Sequence, residues 1–261
     1  MALSSVSKRT GSADLAWLIV FLGTVGLVAA LLAFGPHSAT NSEGHAYNPF
    51  PEMSVRLAKG LLVTGQVMLL ALAGSVVWGI MIGVGRASHY RAYNLATSLY
   101  VEAVRGVPLL VILFMIYYGL NQFLPAAYKL NAFWSAVTGL CVCYGAYIGE
   151  AVRAGIQAIP HEEIEAASLE AERWQVLWYV TLPRALRTIL PAGGNECVAL
   201  LKDTSLISIL AISELTRTGQ EYANAKFLFF ETYSMVALIY LFLTLLLSRA
   251  VRTLEKNWMT T

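Results

Sequence analysis

The chain contains long uninterrupted apolar runs, each about the length of a membrane-spanning helix. A helix rises 1.5 Å per residue, so about 20 residues cross a hydrocarbon core of roughly 30 Å. The runs do not alternate with polar residues, which favours helices over a β-barrel. With 57% hydrophobic and 13% charged residues, the 261-residue chain is too apolar for an ordinary soluble domain. The sequence predicts an all-α membrane protein with about six spans, at 15–34, 61–85, 96–122, 132–155, 186–212 and 232–248.

The basic residues predict how these spans are oriented. With six spans, both termini, the loop after the second span and the loop at 156–185 lie on one side of the membrane. Eleven of the 18 Lys and Arg residues fall on that side and five on the other, while Arg105 and Lys202 lie within spans. The positive-inside rule therefore predicts cytoplasmic termini and a cytoplasmic 156–185 loop. The basic residues do not form a cluster of the kind that binds nucleic acid.

The first span resembles a signal peptide in one respect, since Lys8 and Arg9 precede it. Its apolar run is longer than a usual signal core, and no convincing cleavage site of the small-x-small type follows it. We therefore predict a retained anchor followed by an extracytoplasmic linker at 35–60. Cleavage would leave the other five spans oriented as before.

No motif for catalysis or metal binding is present. The four histidines have no metal-ligand spacing, and no Gly-rich phosphate loop, nucleophile elbow or catalytic carboxylate pair is visible. We expect a non-catalytic chain without its own cofactor or metal, so that any nucleotide is handled by another protein. The cysteines lie within predicted spans and are predicted to be structural: Cys141, Cys143 and Cys197.

Small residues recur at every fourth position in two of the spans. Such rows let neighbouring helix backbones approach closely, although glycine is also common in membrane helices for no specific reason. We predict that each row forms a helix contact. The rows are Ala71, Ser75, Gly79 and Gly83 in the second span, and Cys141, Gly145 and Gly149 in the fourth.

Six charged residues lie within predicted spans, where a charge costs on the order of 3 kcal/mol at the bilayer centre and needs a partner or water. They could form a proton relay, or they could pair with one another to fix helix contacts and line or gate a translocation path. The second interpretation is favoured. The residues are Glu102, Arg105, Glu150, Glu196, Lys202 and Asp203.

Helix-breaking residues accompany these charges in the third and fifth spans. Proline removes a backbone donor, and backbone groups freed at membrane depth must face protein or water. Interrupted helices beside buried charges therefore predict a lined cavity. The expected interruptions are Gly106 and Pro108 in the third span, and Pro191, Gly193 and Gly194 in the fifth.

The segment 160–183 contains five of the 16 acidic residues of the chain. Pro160 suits the first position of a helix, and the glutamates behind it favour the positive end of the helix dipole. Helical spacing would place Ile164, Ala167, Ala171 and Trp174 on one face. From periodicity alone, the segment is either a solvated connector or a docking surface.

Several segments together resemble the permease subunits of bacterial ABC importers, and more narrowly the histidine, arginine, glutamine, glutamate and opine permeases. The resemblance runs in order from about residue 57 to 256. The segments are YVEAVRGVPLLVILFMIYYGL at 100–120, GAYIGEAVRAGIQAIP at 145–160, EAA at 165–167, LPRALRTILP at 182–191 and NECVALLKDTSLISILAISELTR at 195–217.

The resemblance implies a five-helix permease core with a cytoplasmic EAA coupling loop, to which this chain adds an N-terminal span. Such a loop docks on a cytoplasmic ATPase subunit and transmits its closure to the membrane helices. The motif positions carried over to this chain are Glu165, Ala166, Ala167, Ala171, Leu182 and Pro183.

The implied function is ATP-driven import of polar amino acids or related compounds such as opines across the bacterial inner membrane. The implied partners are a cytoplasmic ATPase dimer that binds ATP and Mg²⁺, a second permease subunit, and a periplasmic binding protein. A heterodimer of permeases is favoured and a homodimer is possible. The expected organisation is an N-terminal segment with the first span at 1–56, a permease domain at 57–256, and a cytoplasmic tail at 257–261.

The loop departs from the family pattern, which places a glycine at the seventh motif position and a proline at the twentieth. This chain has Ala171 at the seventh position and Pro183 at the nineteenth, and counting back from Pro183 puts Glu170 at the glycine position. A residue other than glycine there must avoid positive φ or accept strain. We infer a continuous or differently bent coupling segment.

Two alternatives to an ATP-driven permease remain open on the sequence. A secondary transporter would use the buried carboxylates as a proton relay, so its uptake would collapse with the proton gradient. An intramembrane enzyme is the weaker alternative, because no paired catalytic constellation is visible.

Overall fold

The protein is almost entirely helical. The structure, a computed structural model, describes residues 2–34, 39–40 and 45–259. Strands β1 (Ala39–Thr40) and β2 (Ala46–Tyr47) form a short antiparallel pair. The α-helices are α1 (Ala2–Phe34), α2 (Phe50–Ala87), α3 (Arg91–Gly106), α4 (Leu109–Phe114), α5 (Asn121–Phe123), α6 (Ala132–Gln157), α7 (His161–Ser168), α8 (Arg173–Val176), α9 (Leu182–Asp203), α10 (Leu215–Lys226) and α11 (Phe229–Met259). Two π-helical segments, Met115–Leu120 and Leu177–Thr181, and two 3₁₀ segments, Ala126–Tyr128 and Thr204–Leu210, connect some of them.

The helices long and apolar enough to cross a membrane confirm an all-α membrane protein. Within the described residues they are Leu15–Ala33, Phe50–Ala87, Ala132–Gln157 and Phe229–Lys256, and a fifth crossing is available if the bent pair Arg91–Gly106 and Leu109–Phe123 is one broken span.

The second and fifth predicted spans differ from their helices in the structure. The second helix begins at Phe50, well before the predicted start at 61. The segment predicted as the fifth span is helical but is not among the apolar crossings of the described chain. Its ionisable residues lower its hydropathy, as the sequence already indicated.

The break predicted in the third span is present. Helix α3 ends at Gly106, Val107 is extended, and α4 begins directly after Pro108. The two helices are bent by 106° at this break. Proline disfavours a helical conformation in the residue before it, which is why Val107 leaves the helix.

The break predicted in the fifth span is wrong, because α9 continues through Pro191, Gly193 and Gly194. Proline costs the helix one backbone hydrogen bond, but a full break in an apolar medium would free several more backbone groups. Close packing also holds this backbone in place. A Cβ at Gly155 of α6 would lie 2.9 Å from the Ala185 carbonyl oxygen of α9, and one at Gly194 would overlap Val251.

The contacts divide the chain into two compact units. The first comprises Met1–Val63 and Ser213–Arg249, and the second comprises Thr64–Ile212 and Ala250–Thr261. The first unit has an apolar core of buried residues from α2, α10 and α11 with the Leu228 connection, against which partly buried residues of α1 pack. The core residues are Phe50, Met53, Leu57, Leu215, Tyr222, Leu228, Met235 and Val236.

Helix α1 lies along α11 within the first unit. The indole Nε1 of Trp17 donates to the carbonyl oxygen of Leu245 over 3.1 Å. The rings of Trp17, Phe21 and Phe242 form a continuous stack, and the Arg249 guanidinium lies 5.2 Å from the Trp17 ring. One face of the first span therefore packs against α11, while most of its residues are exposed.

In the second unit, the small-residue rows of α2 and α6 pack against each other, which confirms the predicted contact. A Cβ at Gly83 would lie 2.6 Å from the carbonyl oxygen of Gly149, and one at Gly79 would lie 3.1 Å from that of Gly145. The same seam includes a hydrogen bond of 3.5 Å from the Ser75 hydroxyl to a backbone carbonyl, that of Cys141. This seam brings the two backbones into direct contact.

Candidate functional site

The acidic loop begins with the short helix predicted from Pro160. Helix α7 starts one residue later, at His161, and carries Glu162 and Glu163 in its first turn. The helix ends at Ser168. Of the predicted coupling residues, Glu165 and Ala166 are exposed and Ala167 is half-buried.

A turn at 169–172 separates α7 from α8, so the predicted shared face is wrong. Ala171 lies in this turn, where its N–H donates to the Ala167 carbonyl over 3.1 Å, and Trp174 belongs to the next helix. The side chain of Gln175 accepts from the backbone N–H of Glu172 over 2.9 Å, which fixes the start of α8 in the manner of a capping box.

The turn resolves the question raised by the missing glycine. In the described parts of the chain, Ala211 and Phe227 are the residues other than glycine with positive φ. Neither Glu170 nor Ala171 therefore adopts the conformation that favours glycine. The coupling segment is differently bent, and it is not continuous.

The loop is tied to α9 by an ion pair between Glu163 of α7 and Arg184 in the first turn of α9. The predicted motif residues Leu182 and Pro183 are the first two residues of α9, directly after the π-helical segment Leu177–Thr181. Helix α7 and the start of α9 are therefore linked directly by this ion pair.

The other end of α9 contributes to a polar cluster between α3, α6 and α9. The Tyr144 hydroxyl of α6 donates to the Asp203 carboxylate over 2.8 Å. The Arg105 guanidinium of α3 lies 5.6 Å from the ring centre of Tyr147. Glu196 interacts electrostatically with both Arg105 and Asp203. We refer to Arg105, Tyr144, Tyr147, Glu196 and Asp203 as the polar cluster.

Glu150 belongs to a second charge network, near the ends of α2 and α6, and also interacts electrostatically with Arg105 of the polar cluster. Its carboxylate pairs with Arg86 of α2 and with Arg153 one turn along α6, whose Nε lies 3.1 Å from the nearer carboxylate oxygen. Arg153 also donates to Gln157, and the side chain of Asn94 in α3 donates to the backbone carbonyl of Arg86. This network joins three helices.

The structure thus separates the six in-span charges that the sequence grouped together. Arg105, Glu196 and Asp203 interact electrostatically, whereas Glu150, which also interacts with Arg105, forms its ion pairs with Arg86 and Arg153. Glu102 and Lys202 are exposed and have no ion pair among the residues that the structure describes.

Several participants were not identified from the sequence. Tyr147 and Tyr144 could have been found, because they lie on α6 about one turn and two turns, respectively, before Glu150. Arg86 and Arg184 were counted only as orienting charges. Glu163 was identified only as one of the loop's glutamates.

In the described chain, no group of three His, Cys, Asp or Glu side chains is placed to hold a metal ion. The cysteines are free thiols, Cys143 buried and Cys141 and Cys197 half-buried.

A set of membrane-spanning helices, in which one helix joins an exposed acidic loop to a half-buried polar cluster, is the arrangement expected of a multi-pass membrane transport protein. Comparison with known families agrees, since residues 75–259 match the family described as "Binding-protein-dependent transport system inner membrane component". The chain belongs to this family.

Named relatives extend the comparison. The chain is 36% identical to the glutamine transport system permease protein GlnP of Escherichia coli K12 over 205 residues, which are 77% of this chain and 92% of that one. It is 34% identical to the probable glutamine ABC transporter permease protein GlnM of Bacillus subtilis over 199 residues, covering 76% and 91%.

Solved structures of related transporters share the fold. An amino acid ABC transporter solved with histidines aligns with a TM-score of 0.73 and 34% identity, over 79% of this chain and 96% of that chain. A bacterial ABC transporter of the polysaccharide alginate shares the fold at a TM-score of 0.59 and 15% identity, over 98% of this chain and 99% of the other.

These comparisons establish a multi-pass permease subunit of an ABC importer in the bacterial inner membrane, which works with an ATPase and a binding protein. They do not support the proton-coupled alternative.

Proposed function

We propose that this chain forms part of the translocation pathway for a polar amino acid and receives the force of its ATPase through α7 and the turn that follows it. The observation that carries the proposal is the continuity of α9. Its first turn is ion-paired to α7 through Arg184 and Glu163, and its last residue, Asp203, belongs to the polar cluster. A helix of 22 residues is about 33 Å long. A displacement at the loop can therefore reach the cluster through one rigid element.

The polar cluster suits an amino acid as substrate. A free amino acid carries an α-carboxylate and an α-ammonium group, and the cluster offers Arg105 to the first and Glu196 and Asp203 to the second. Charges at membrane depth are costly unless paired, so a substrate that pairs them would be favoured there. One relative is named as a glutamine transport system permease and another as a probable glutamine ABC transporter permease, and the similar solved structure is an amino acid ABC transporter.

The chain is proposed to have no catalytic activity of its own. ATP and Mg²⁺ would bind to a separate ATPase dimer, and a periplasmic binding protein would deliver the amino acid. Both termini would be cytoplasmic, as the distribution of Lys and Arg predicts.

The decisive experiment is uptake into proteoliposomes that contain this permease, its ATPase and its binding protein. Uptake of a radiolabelled amino acid should require ATP inside the vesicles and persist when a protonophore collapses the proton gradient. Uptake that needs no ATP and stops with the protonophore would contradict the proposal.

The second permease is proposed to be a different chain that docks on the ATPase in a different way. The support is the loop of this chain, which lacks the family's glycine and is shorter by one residue. Cross-linking from a cysteine at Ala167 should give unequal yields for this chain and for the equivalent position of its partner. Equal yields, or purification of a complex with two copies of this chain, would contradict asymmetric docking.

A further inference from the structure

The short helical segment between the acidic turn and α9 carries an exposed aromatic surface that neither the polar cluster nor the α7 contact uses. Trp174, Leu177, Trp178 and Tyr179 are each between 52% and 74% exposed, whereas Val176 among them is only 4% exposed. These four residues are defined as the aromatic patch. A concentration of large apolar side chains on one short segment marks an interaction surface.

The residue types of the patch differ from those on the exposed face of α1. Exposed residues of α1, such as Leu15, Ile19 and Leu22, are aliphatic. The patch instead contains two tryptophans and a tyrosine, whose rings are apolar and whose polar ends seek hydrogen-bond partners. This composition is typical of the boundary between lipid chains and water.

The polar ends of two of the aromatic residues are available to such a boundary. The indole N–H of Trp174 donates to the Glu172 carboxylate over 2.7 Å. Trp178 and Tyr179 have no hydrogen-bond acceptor or donor among the described residues. Lipid headgroups and interfacial water can supply what the protein does not.

Charge changes sign abruptly at the start of this segment. Residues 160–172 contain five glutamates, whereas residues 173–195 contain no acidic residue and three arginines, of which Arg187 is exposed. Basic residues beside an aromatic surface favour anionic phospholipid headgroups. The acidic α7 would be repelled by the same surface.

The patch is also continuous with α9. The π-helical segment Leu177–Thr181 runs into α9 without a turn, and α9 carries the polar cluster at its far end. The patch therefore lies within about two helical turns of the first residue of α9.

We propose that the aromatic patch anchors this segment in the headgroup layer of an anionic phospholipid leaflet. The anchor would hold the start of α9 at the membrane surface while α7 remains free to contact another protein. The proposal concerns the loop of the proposed function but does not depend on it, because the anchor would exist even if the ATPase docked elsewhere.

The test is quenching of tryptophan fluorescence by brominated lipids in nanodiscs that contain phosphatidylglycerol, with the whole transporter and with the permease alone. The signal of Trp178 is the difference between the wild-type protein and Trp178→Phe. Bromine near the headgroup end of the acyl chains should quench this signal about twofold more than bromine near the chain ends, as a residue 5–10 Å deep requires. Trp78→Phe gives the comparison for a tryptophan inside a long span.

Addition of the ATPase shows whether the aromatic patch contacts lipid or another protein. Shallow quenching of Trp178 that persists in the assembled transporter supports the anchor. Absence of quenching by either lipid, or quenching that disappears on assembly while the Trp178 emission shifts to the blue, would show that the patch is a protein contact and would overturn the proposal.

A second pair of variants tests the anchor without a fluorophore change. Leu177→Ser should weaken protection of the 173–181 backbone from hydrogen exchange in nanodiscs severalfold, because it removes an embedded side chain. Leu169→Ser makes the same change in the turn, outside the patch, and should leave that protection unchanged. Equal effects of the two substitutions would also overturn the proposal. Uptake measured in parallel reports separately on the proposed coupling function.

Discussion

Two groups of charges lie near α6, and they are satisfied in different ways. Glu150 is held between two arginines, so its negative charge is neutralised by permanent protein partners. The carboxylate of Asp203 has a tyrosine hydroxyl as its hydrogen-bond donor, and the Arg105 guanidinium faces the ring of Tyr147. The carboxylate of the first group already has oppositely charged protein partners. The charged groups of the second could form ion pairs with a bound substrate.

This difference indicates which acids hold the protein together and which are available for transport. Removing one member of a permanent ion pair strands its partner and costs stability. Removing a charge from the polar cluster should instead affect substrate more than folding. Each group can therefore be tested by measuring uptake and stability on the same variants.

The largest effect is expected for Asp203→Asn. The amide keeps an acceptor for the Tyr144 hydroxyl but loses the charge, so the fold should survive. Loss of a charged contact to substrate at about 2–3 kcal/mol corresponds to roughly 30-fold to 140-fold weaker uptake at low substrate concentration. Concentration-dependent uptake in proteoliposomes measures this. The control Tyr144→Phe keeps the charge and should reduce uptake far less. If Asp203→Asn transports within a factor of two of wild type, the polar cluster is structural like the Glu150 network.

Glu150→Ala should instead reduce stability more than uptake. It strands Arg86 and Arg153, and we expect a loss on the order of 2 kcal/mol of stability, below that of a fully buried pair because the carboxylate is still partly exposed. Thermal unfolding followed by fluorescence size-exclusion chromatography measures the shift. Glu150→Gln keeps the hydrogen-bonding shape and should lose less. The comparison fails if the alanine variant is as stable as wild type but cannot transport.

The connection between the loop and α9 should give a smaller effect. The Glu163 and Arg184 side chains are 38% and 50% exposed, so the pair contributes no more than about 1 kcal/mol. Glu163→Arg and Arg184→Glu should each reduce ATP-driven uptake severalfold with little change in melting temperature. The double variant restores the opposite charges and should recover uptake. If the double variant recovers no uptake, the ion pair is not what couples the loop to α9.

Glu214 lies in the first unit and is an acid of a third kind, because it caps a helix. Its substitution should have the smallest predicted effect, which is on the melting temperature. Its carboxylate caps α10, accepting from the backbone N–H of Thr216 and Arg217, while burial raises its pKa. A raised carboxyl pKa favours folding when the group is protonated, so this contribution is present at acidic pH and is lost as pH rises from the ordinary carboxyl range through the raised value.

Melting temperatures measured across this pH range should therefore show a small decline that Glu214→Gln removes. The glutamine can still cap α10 through its side-chain oxygen. A decline of the same size in Glu214→Gln would assign the pH dependence to other groups.

The sequence predicted those features that depend on local chemistry. Proline and glycine act through their own backbone, so the break at Gly106 and Pro108 and the start of α7 behind Pro160 could be identified without a structure. The seam between α2 and α6 could be predicted because the small residues recur at every fourth position and face a partner in a second such row.

The remaining features depend on residues distant in the chain. Pro191 lies in a continuous helix because neighbouring helices hold its backbone, and no local pattern contains that information. Arg86 and Glu150 are 64 residues apart, so their pairing depends on the register in which α2 meets α6. The turn after α7 was missed because a helical period was extended through Ala171, where side-chain capping by Gln175 starts a new helix.

The contact between α1 and α11 has a consequence for how the protein is made. Trp17 and its acceptor Leu245 are 228 residues apart. At about 5–20 residues per second, a ribosome needs roughly 10–45 s to make the intervening chain. The first helix to enter the membrane must therefore wait for the last before its aromatic side chains find their partners. Until α11 has been synthesised, the aromatic side chains of α1 lack the partners that they contact in the folded protein.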